Sequence, residues 1–296
     1  MDNVEEKQER VREFWNDKPC GSDMSSHDPS EKLYYDEIEE ERYHYQYHIP
    51  KILDWLQWNK KNVLEIGTGV GTDARQIIAR GGNYIGINVD RGSVDATRRA
   101  LDVFGLTGMV EQSSATDIFL EDESVDIVYS FGVLHHIPDV GRAISDIQRV
   151  LKPGGELLIM LYNRNSINYQ IEIRFLRKLA LRMLSLPGVI PFFGLLGFPR
   201  EKLERHADIY HKYGKLSRQE WLNRNTDGPD NPYSQVYGKE EAEALLGSAF
   251  RILRNEVYYF EPRHWGLIGR LLPAWLINYL GERWGWHRMV YAIKQG

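Results

Sequence analysis

Apolar residues beyond residue 61 follow two alternating patterns along the chain. Short apolar runs, which are typical of buried strands, alternate with stretches in which apolar residues recur every three or four positions, as in amphipathic helices. Strand and helix patterns at this spacing indicate an α/β fold with parallel strands and right-handed crossovers. The predicted strands are 62–67, 83–89, 109–115, 125–133 and 156–162, and the helices between them are 74–80, 93–105 and 139–155.

Other stretches frame this core. The first fifty or so residues are helical in pattern and aromatic-rich, and the stretch after Asn163 is mostly helical and longer than an ordinary crossover. We therefore expect an N-terminal helical cap (1–58), an α/β core (59–165), a helical insertion (166–238) and the rest of the core (239–296). Within that last part the pattern predicts a helix at 239–249, a strand at 249–260, an apolar helix at 266–285 and a strand at 289–295.

The composition narrows the class of protein. With 42% hydrophobic residues among 296, the chain can bury a core, and its net charge of -5 gives no basic field for nucleic acid. The single cysteine, Cys20, excludes an internal disulfide and a zinc site made of cysteines alone. The charged start MDNVEEKQER lacks the apolar run of a secretory signal, so we expect a cytoplasmic protein.

The stretch LEIGTGVGTD (64–73) joins the first predicted strand to the first helix of the core. Its glycines allow a tight turn and a close approach of a ligand, and the helix start supplies free N–H groups. A dinucleotide turn follows the pattern GxGxxG, whose third glycine would fall where Thr72 stands. Glu65, at the end of the strand, is placed to hold an ammonium group rather than a pyrophosphate. An NAD-dependent oxidoreductase is therefore disfavoured.

Three stretches taken together resemble the class I S-adenosylmethionine (SAM)-dependent methyltransferases. They are VLEIGTGVGTD, SSATDIFLEDESVDIVYSFGVLHHIPD (113–139) and RVLKPGGELLIMLY (149–162), and their order and spacing match the family across roughly residues 60–162. Within that family they are most similar to the type 11, small-molecule group, which includes quinone-biosynthesis methyltransferases. The resemblance implies a Rossmann-like, seven-stranded, mostly parallel sheet with an antiparallel last strand, and SAM as the cofactor.

The same resemblance implies cofactor-binding positions. Asn88 stands where the family has the acid that binds the ribose, and Asp90 follows on the same face of the strand. Asn88 is alternatively a turn residue and Asp90 the N-cap of the next helix, while Ser114 stands where an acid is common. The full set is Glu65, Gly67, Thr68, Gly69 and Gly71 for the methionine part, Asn88 and Asp90 near the ribose, Ser114, Ala115 and Thr116 for adenine, and Phe131 beside adenine and sulfonium.

Methyl transfer from a sulfonium is an in-line displacement, so the protein must hold donor and acceptor close and collinear. A hydroxyl acceptor benefits from a general base, whereas a thiolate, an amine or an enolate reacts by positioning alone. His135 and His136 follow the fourth strand, and His136 is the candidate base or orienter, unless it packs under the next helix. The candidates for acceptor binding are Trp15, Tyr35, His136, Tyr162 and Asn163, with lid packing as the alternative for the first two.

The segment IEIRFLRKLALRMLSL (171–186) has the pattern of a basic amphipathic helix. Together with PGVIPFFGLLGF it forms a stretch, 171–198, that either contacts an anionic membrane or is a lid or dimer helix whose apolar side packs on the sheet. Arg174, Arg177, Lys178 and Arg182 fall on one side of the helix, and Phe175, Leu176, Leu179, Ala180 and Met183 fall on the other.

The leading hypothesis is an enzyme that transfers the methyl group of SAM to a small hydrophobic or aromatic acceptor at O, N, S or C. Residues 166–238 would then be a lid over the acceptor site. A non-catalytic interaction or membrane-peripheral module of the same fold is the alternative, since Asn88 and Ser114 depart from the family pattern. A nucleic-acid substrate is not expected, because the chain is acidic. A metal is not expected either, because His44 and His48 have no third ligand at a recognisable spacing.

Overall fold

The computed structural model describes residues 3–17, 19–213, 216–265 and 269–296, which form two compact units. The first unit contains Met1–Leu161, Lys239–Glu256 and Met289–Gly296, and the second contains Tyr162–Gly238 and Val257–Arg288. The N-terminal segment that we expected as a separate cap thus belongs to the same unit as the core. Residues 257–288, which we expected in the core, belong to the same unit as the insertion.

A seven-stranded sheet organises the fold. Its strands are β1 (Asn62–Ile66), β2 (Asn83–Asn88), β3 (Met109–Gln112), β4 (Val125–Phe131), β5 (Leu151–Tyr162), β6 (Phe250–Tyr258) and β7 (His287–Lys294). The order across the sheet is β3-β2-β1-β4-β5-β7-β6, and the pairs β1–β2, β1–β4, β2–β3 and β4–β5 are parallel. The predicted Rossmann-like α/β fold is therefore confirmed.

The helices fall into two sets. The first unit contains α1 (Val4–Asp17), α2 (Lys32–Tyr45), α3 (His48–Leu53), α4 (Thr72–Ala79), α5 (Arg91–Phe104), α6 (Val140–Val150) and α11 (Lys239–Leu246). The second unit contains a π-helical segment (Asn168–Leu176), α7 (Arg177–Leu184), α8 (Val189–Leu195), α9 (Arg200–Tyr213), α10 (Arg218–Asn223) and α12 (Ala274–Trp284).

β1 lies between β2 and β4 and places the first candidate residue. Val63 and Leu64 are fully buried, as expected for a strand covered on both faces. The parallel register sets Glu65 opposite Gly86 on β2 and opposite Tyr129 on β4. A single carboxylate is thereby held in an otherwise apolar strand at the carboxyl edge of the sheet, where ligands of such folds bind.

Several predicted boundaries shift for local reasons. Helix α5 begins at Arg91 because the preceding aspartate caps it. β5 begins at Leu151 rather than at Glu156, and the pairing with β4 is irregular there, so the Pro-Gly-Gly stretch lies inside the strand. In the predicted helix at 266–285, residues 266–268 lie outside the described residues, and α12 begins only at Ala274, after Pro273 as its N-cap.

The predicted basic helix at 171–186 is two elements rather than one. A π-helical segment covers Asn168–Leu176, and α7 continues from there. The wider winding of the first part changes which side chains share a side. Contrary to the interpretation that the apolar side packs inward, Phe175 and Leu179 are 66% and 51% exposed. The buried side chains of this stretch are Tyr169, Glu172, Ile173, Leu181 and Leu184.

Candidate active site

The glycine turn between β1 and α4 has the geometry that the sequence predicts. Gly67, Gly69 and Gly71 have φ values of 85°, 54° and 80°, a left-handed conformation that side-chain-bearing residues rarely adopt. A Cβ atom at Gly67 would lie only 2.0 Å from Val133 Cγ2. Gly71 is the N-cap of α4, so the amides at the start of that helix face this turn without a side chain in the way.

Side chains behind the turn hold it in place. The Thr97 hydroxyl donates to the Gly69 carbonyl oxygen at 3.1 Å and lies 2.8 Å from Thr68 Oγ1. On the other side, the Cys20 carbonyl oxygen would be 3.1 Å from a Cβ at Gly69. The segment after α1 therefore passes directly against the turn.

Glu65 is buried and held by one neutral donor. The Tyr84 hydroxyl donates to Glu65 Oε2 at 2.5 Å. That contact requires glycine at position 86, because a Cβ there would lie 2.5 Å from the Tyr84 hydroxyl. Tyr84 and Gly86 were not identified from the sequence, although both lie in the YIGIN strand that the sequence singles out.

A second buried carboxylate, Asp73, lies at the start of α4. Its Oδ2 accepts from Arg42 Nη2 at 2.7 Å and from the Tyr129 hydroxyl at 2.8 Å, and its Oδ1 accepts from the Tyr43 hydroxyl at 2.9 Å. Arg42 and Tyr43 come from α2, so the N-terminal segment contributes charge to the core of this unit. No local motif indicates this cluster, because its members are far apart along the chain.

The charge balance of this region favours a cationic ligand. Glu65 and Asp73 are two buried acids, and Arg42 forms an ion pair with Asp73. Burial, followed by the negative charge of Asp73, raises the pKa of Glu65 well above its usual range. A positive group bound beside Glu65 would offset both effects and favour its ionised form. An ammonium or sulfonium group meets this requirement, whereas a pyrophosphate does not.

At the end of β2, Asp90 caps the next helix, and its binding to the cofactor stays a prediction. Asp90 is fully buried and is the N-cap of α5, since its Oδ1 accepts from the Ser93 backbone N–H at 2.7 Å. Burial raises the pKa of its carboxyl group. Its Oδ2 has no hydrogen-bond partner among the described residues. Asn88 is half-buried at the last position of β2, and its binding to the ribose stays a prediction.

The predicted adenine positions lie against α1. Ser114 Oγ and Thr116 Oγ1 are 2.8 Å apart, and Gln8 Nε2 donates to the first at 2.9 Å and to the second at 3.3 Å. Ala115 between them is buried. A glutamine amide from the N-terminal helix thus binds the serine that replaces the usual acid. Nothing in the pattern of α1 pointed to Gln8.

The histidine pair follows β4 in a short 3₁₀ turn, Leu134–His136, and both histidines are buried. Their ring centroids are 4.3 Å apart. The Trp15 ring packs on His136 in a T-shaped arrangement at a centroid distance of 5.5 Å, so the structure brings together two of the predicted acceptor-side residues. Phe131, the last residue of β4, lies beneath the Arg42 guanidinium at 5.3 Å.

The structure gives Tyr35 a packing role. It is buried with Tyr34, Ile38 and Val70 in an apolar cluster, and its hydroxyl donates to the Pro29 carbonyl oxygen at 2.9 Å. Burial raises the pKa of Tyr35 to about 12. The alternative of ordinary packing therefore describes Tyr35 better than acceptor binding does.

Tyr162 and Asn163 lie in the second unit, where both have polar partners. Tyr162 stacks on Trp286 at a centroid distance of 4.2 Å and donates to Asp227 Oδ1 at 2.6 Å. Asn163 is buried, donates to the Gly285 carbonyl oxygen at 2.8 Å and accepts from Arg288 at 2.8 Å. Their contact with an acceptor stays a prediction.

The histidine pair of the N-terminal segment does not form a metal centre of the kind considered above. His44 is in α2 and exposed, whereas His48 is in α3 and buried, so the two are not on one helix. Across the described ranges, no group of three or more His, Cys, Asp or Glu side chains converges as metal ligands would.

Comparisons with known proteins agree with this geometry. Residues 64–159 match a family model described as a methyltransferase domain. The ubiquinone biosynthesis O-methyltransferase of Aromatoleum aromaticum is 28% identical over 42% of this chain and 55% of its own length. The phosphoethanolamine N-methyltransferase 2 of Caenorhabditis elegans is 33% identical over 35% of this chain and 24% of its own length. The matched region thus spans from about a quarter to about half of these relatives.

Solved structures extend the likeness beyond the matched domain. A SAM dependent methyltransferase from Aquifex aeolicus aligns over 91% of this chain and 100% of its own, with a TM-score of 0.50 and 16% identity. The geranyl diphosphate C-methyltransferase from Streptomyces coelicolor A3(2), in complex with Mg²⁺, geranyl diphosphate and S-adenosyl-L-homocysteine, aligns over 98% of both chains, with a TM-score of 0.55 and 13% identity. At these identities the likeness concerns the fold.

Proposed function

We propose that this chain, which carries a SAM-dependent methyltransferase domain at residues 64–159, binds SAM and transfers its methyl group to a small apolar or aromatic acceptor. The observation that carries the proposal is the glycine turn above Glu65. Its left-handed glycines leave the backbone open to a ligand, and burial raises the pKa of Glu65, so a positive ligand would favour the ionised form of this acid. The ammonium of SAM would supply that positive charge.

His136 is the residue that we assign to the acceptor side. It follows β4 at the carboxyl edge of the sheet, and the Trp15 ring packs against it. A neutral imidazole there would accept the proton of a hydroxyl acceptor as the methyl group is transferred. For an acceptor that arrives deprotonated, His136 would orient it without proton transfer.

The names of the similar proteins do not define the methylated atom. Their names include an O-, an N- and a C-methyltransferase, so the atom is not narrowed. The compounds in their names also differ: ubiquinone is largely apolar, geranyl diphosphate joins an apolar chain to a charged diphosphate, and phosphoethanolamine is polar. The Trp15 indole beside His136 favours an apolar or aromatic acceptor, because an indole ring binds such groups well.

The direct experiment is a screen for methyl transfer. The full chain is incubated with SAM and separate panels of phenols, thiols, amines and lipid-like quinols, and mass spectrometry detects S-adenosylhomocysteine and methylated product. We expect product in the phenol or quinol panel. If the protein binds S-adenosylhomocysteine but methylates nothing in any panel, the non-catalytic alternative gains and this proposal fails.

A substitution then tests His136 on the acceptor that the screen finds. His136→Ala should lower kcat by about a hundredfold or more for a hydroxyl acceptor, the usual contribution of a general base, with little change in SAM affinity. His44→Ala is the matched control, because His44 is exposed on α2 and packs on Tyr45. Unchanged turnover in His136→Ala would remove this residue from the mechanism.

A further inference from the structure

The second unit exposes much apolar surface around α8. This helix, VIPFFGL, consists of apolar residues and one glycine, yet none of its side chains is buried. Phe192 is 57% exposed and Leu195 is 84% exposed. Single exposed apolar residues are ordinary, but a contiguous group of them marks an interaction surface.

The helical stretch before α8 continues this surface. Ile171, Phe175, Leu179 and Met183 recur every four residues and are 44%, 66%, 51% and 41% exposed. We call these four residues the apolar stripe. Helices α7 and α8 pack on each other and both pack on α9, so the apolar stripe and α8 are held in one arrangement. A pocket of about 390 Å³ lies among these three helices, with apolar residues prominent in its lining: Leu184, Leu186, Pro187, Ile190 and Pro191.

A second apolar segment of the same unit adjoins the first. Leu271, Trp275 and Tyr279 are 83%, 70% and 51% exposed. A Cβ at Gly197, just after α8, would lie 3.8 Å from Arg270 Nη2, so the two segments meet at this point. We call the exposed apolar residues of 171–195 and 271–279 the apolar face.

The residues beside the apolar face carry a net positive charge, whereas the whole chain is negative. Arg174, Lys178 and Arg182 recur every four residues, are exposed, and run beside the apolar stripe. From 168 to 199 the sequence has Arg174, Arg177, Lys178 and Arg182 against Glu172 alone, a net charge of +3 in a chain of net charge -5. Basic residues beside exposed apolar and aromatic side chains are typical of helices that lie on anionic membranes.

We propose that the apolar face docks on an anionic lipid bilayer. Phe175, Phe192 and Leu195 would enter the region between headgroups and acyl chains, with Trp275 and Tyr279 at the headgroup level and the basic stripe against lipid phosphates. Among the helices described, none is long and apolar enough to cross a membrane. This proposal does not depend on the proposed methyl transfer.

A second copy of this chain explains the face less well. A two-fold interface brings the same surface of each copy together. Arg174, Lys178 and Arg182 of one copy would then lie near the same basic residues of the other. A bilayer that contains anionic lipid instead places negative charge along the whole stripe.

Vesicle co-sedimentation of the full chain tests the proposal. The vesicles are phosphatidylcholine alone, or phosphatidylcholine mixed with phosphatidylglycerol. We expect the protein to pellet with the anionic vesicles and to be partly released by added salt, which screens surface charge. The combined change Arg174→Glu, Lys178→Glu and Arg182→Glu should weaken partitioning by about a hundredfold or more, given the usual contribution of each basic residue.

Matched variants separate this face from the rest of the molecule. Phe192→Ser with Leu195→Ser should also reduce pelleting, whereas Phe119→Ser, at an apolar residue of the first unit that is 51% exposed, should not. Lys60→Glu, Arg142→Glu and Arg251→Glu together are the charge control, because these three residues are exposed in the first unit. Equal loss in the controls, or no preference for anionic vesicles, overturns the proposal. The proposal is also overturned if the protein does not pellet with vesicles and instead forms a dimer in sedimentation equilibrium that Phe192→Ser with Leu195→Ser dissociates.

Discussion

At the scale of single residues, Asn88 and Asp90 at the end of β2 differ in their surroundings. Asp90 closes the first turn of α5 with its Oδ1 and is fully buried. Asn88 is half-buried at the end of the strand, at the position from which the ribose of such cofactors is held. A neutral amide can still bind both ribose hydroxyls, although it lacks the charge of the usual acid.

Substitutions at these two positions should therefore differ in kind. Asn88→Ala should weaken SAM binding in a titration and leave the free energy of unfolding almost unchanged. Asp90→Ala should lower the free energy of unfolding by about 1 kcal/mol, the usual cost of losing a cap, with a smaller effect on SAM affinity. Urea unfolding and calorimetry of both variants measure the two quantities. The opposite order of SAM affinities would show that Asp90 has taken over the ribose contact.

The residues that the sequence predicted and those that it missed differ in how they reach the site. The glycines of 67–71 are specified by local backbone conformation, which a short motif reveals. Gln8 and Arg42 reach the site through packing of N-terminal helices on the core, and no local pattern encodes that approach. Asp90 was open to two interpretations because an acid at a strand end suits both a cap and a ligand.

At the scale of elements, α2 is joined to α4 by a buried ion pair. Arg42 Nη2 lies 2.7 Å from Asp73 Oδ2, and the two side chains are 20% and 3% exposed. The attraction between Asp73 and Arg42 keeps the guanidinium charged, and raises its pKa despite the cost of burial. Removing one partner of such a pair leaves the other charge uncompensated.

Arg42→Met should therefore lower the free energy of unfolding by about 3 kcal/mol. Arg80→Met is the control, because the Arg80–Asp54 pair, at 3.3 Å, is mostly in solvent, with side chains 27% and 71% exposed. An exposed pair contributes about 0.5 kcal/mol. Urea unfolding measures both variants, and equal small losses would show that α2 is not held by this charge.

The element at 168–184 shows what helical periodicity cannot determine. The pattern placed Phe175, Leu179 and Met183 on one side, but periodicity does not say whether that side faces a core or solvent. In the structure these residues are exposed and the π-helical winding buries others, Glu172 among them. Its carboxylate has a pKa of about 2 despite burial, because His264 and Arg177 contact it.

At the scale of the whole molecule, the free energy of unfolding depends on pH through a histidine that the fold keeps neutral. His48 is fully buried in α3, and burial, with the positive charges of Arg42 and Lys51, lowers its pKa to about 3. In the unfolded chain a histidine takes up a proton near pH 6.5. Below that pH the unfolded state therefore binds a proton that the folded state does not bind, and stability falls as pH falls.

This difference in the pKa of His48 between the folded and unfolded states gives the free energy of unfolding a measurable slope against pH. Between pH 7 and pH 5, His48 alone should lower the free energy of unfolding by about 2 kcal/mol. His48→Phe should lose that part of the pH dependence, whatever its effect on stability at pH 7. Urea unfolding at the two pH values gives the slope for each protein, and parallel slopes would show that His48 is protonated in the folded state.

The central claim is that the first unit binds SAM through the glycine turn. Calorimetric titration of the full chain with S-adenosylhomocysteine, and separately with NAD, tests it most directly, with Gly69→Val to block the turn where the backbone has a φ of 54°. We predict saturable binding of S-adenosylhomocysteine, none of NAD, and loss of binding in the variant while its unfolding transition remains cooperative. Binding of NAD, or no binding of S-adenosylhomocysteine by the unmodified chain, would contradict the account.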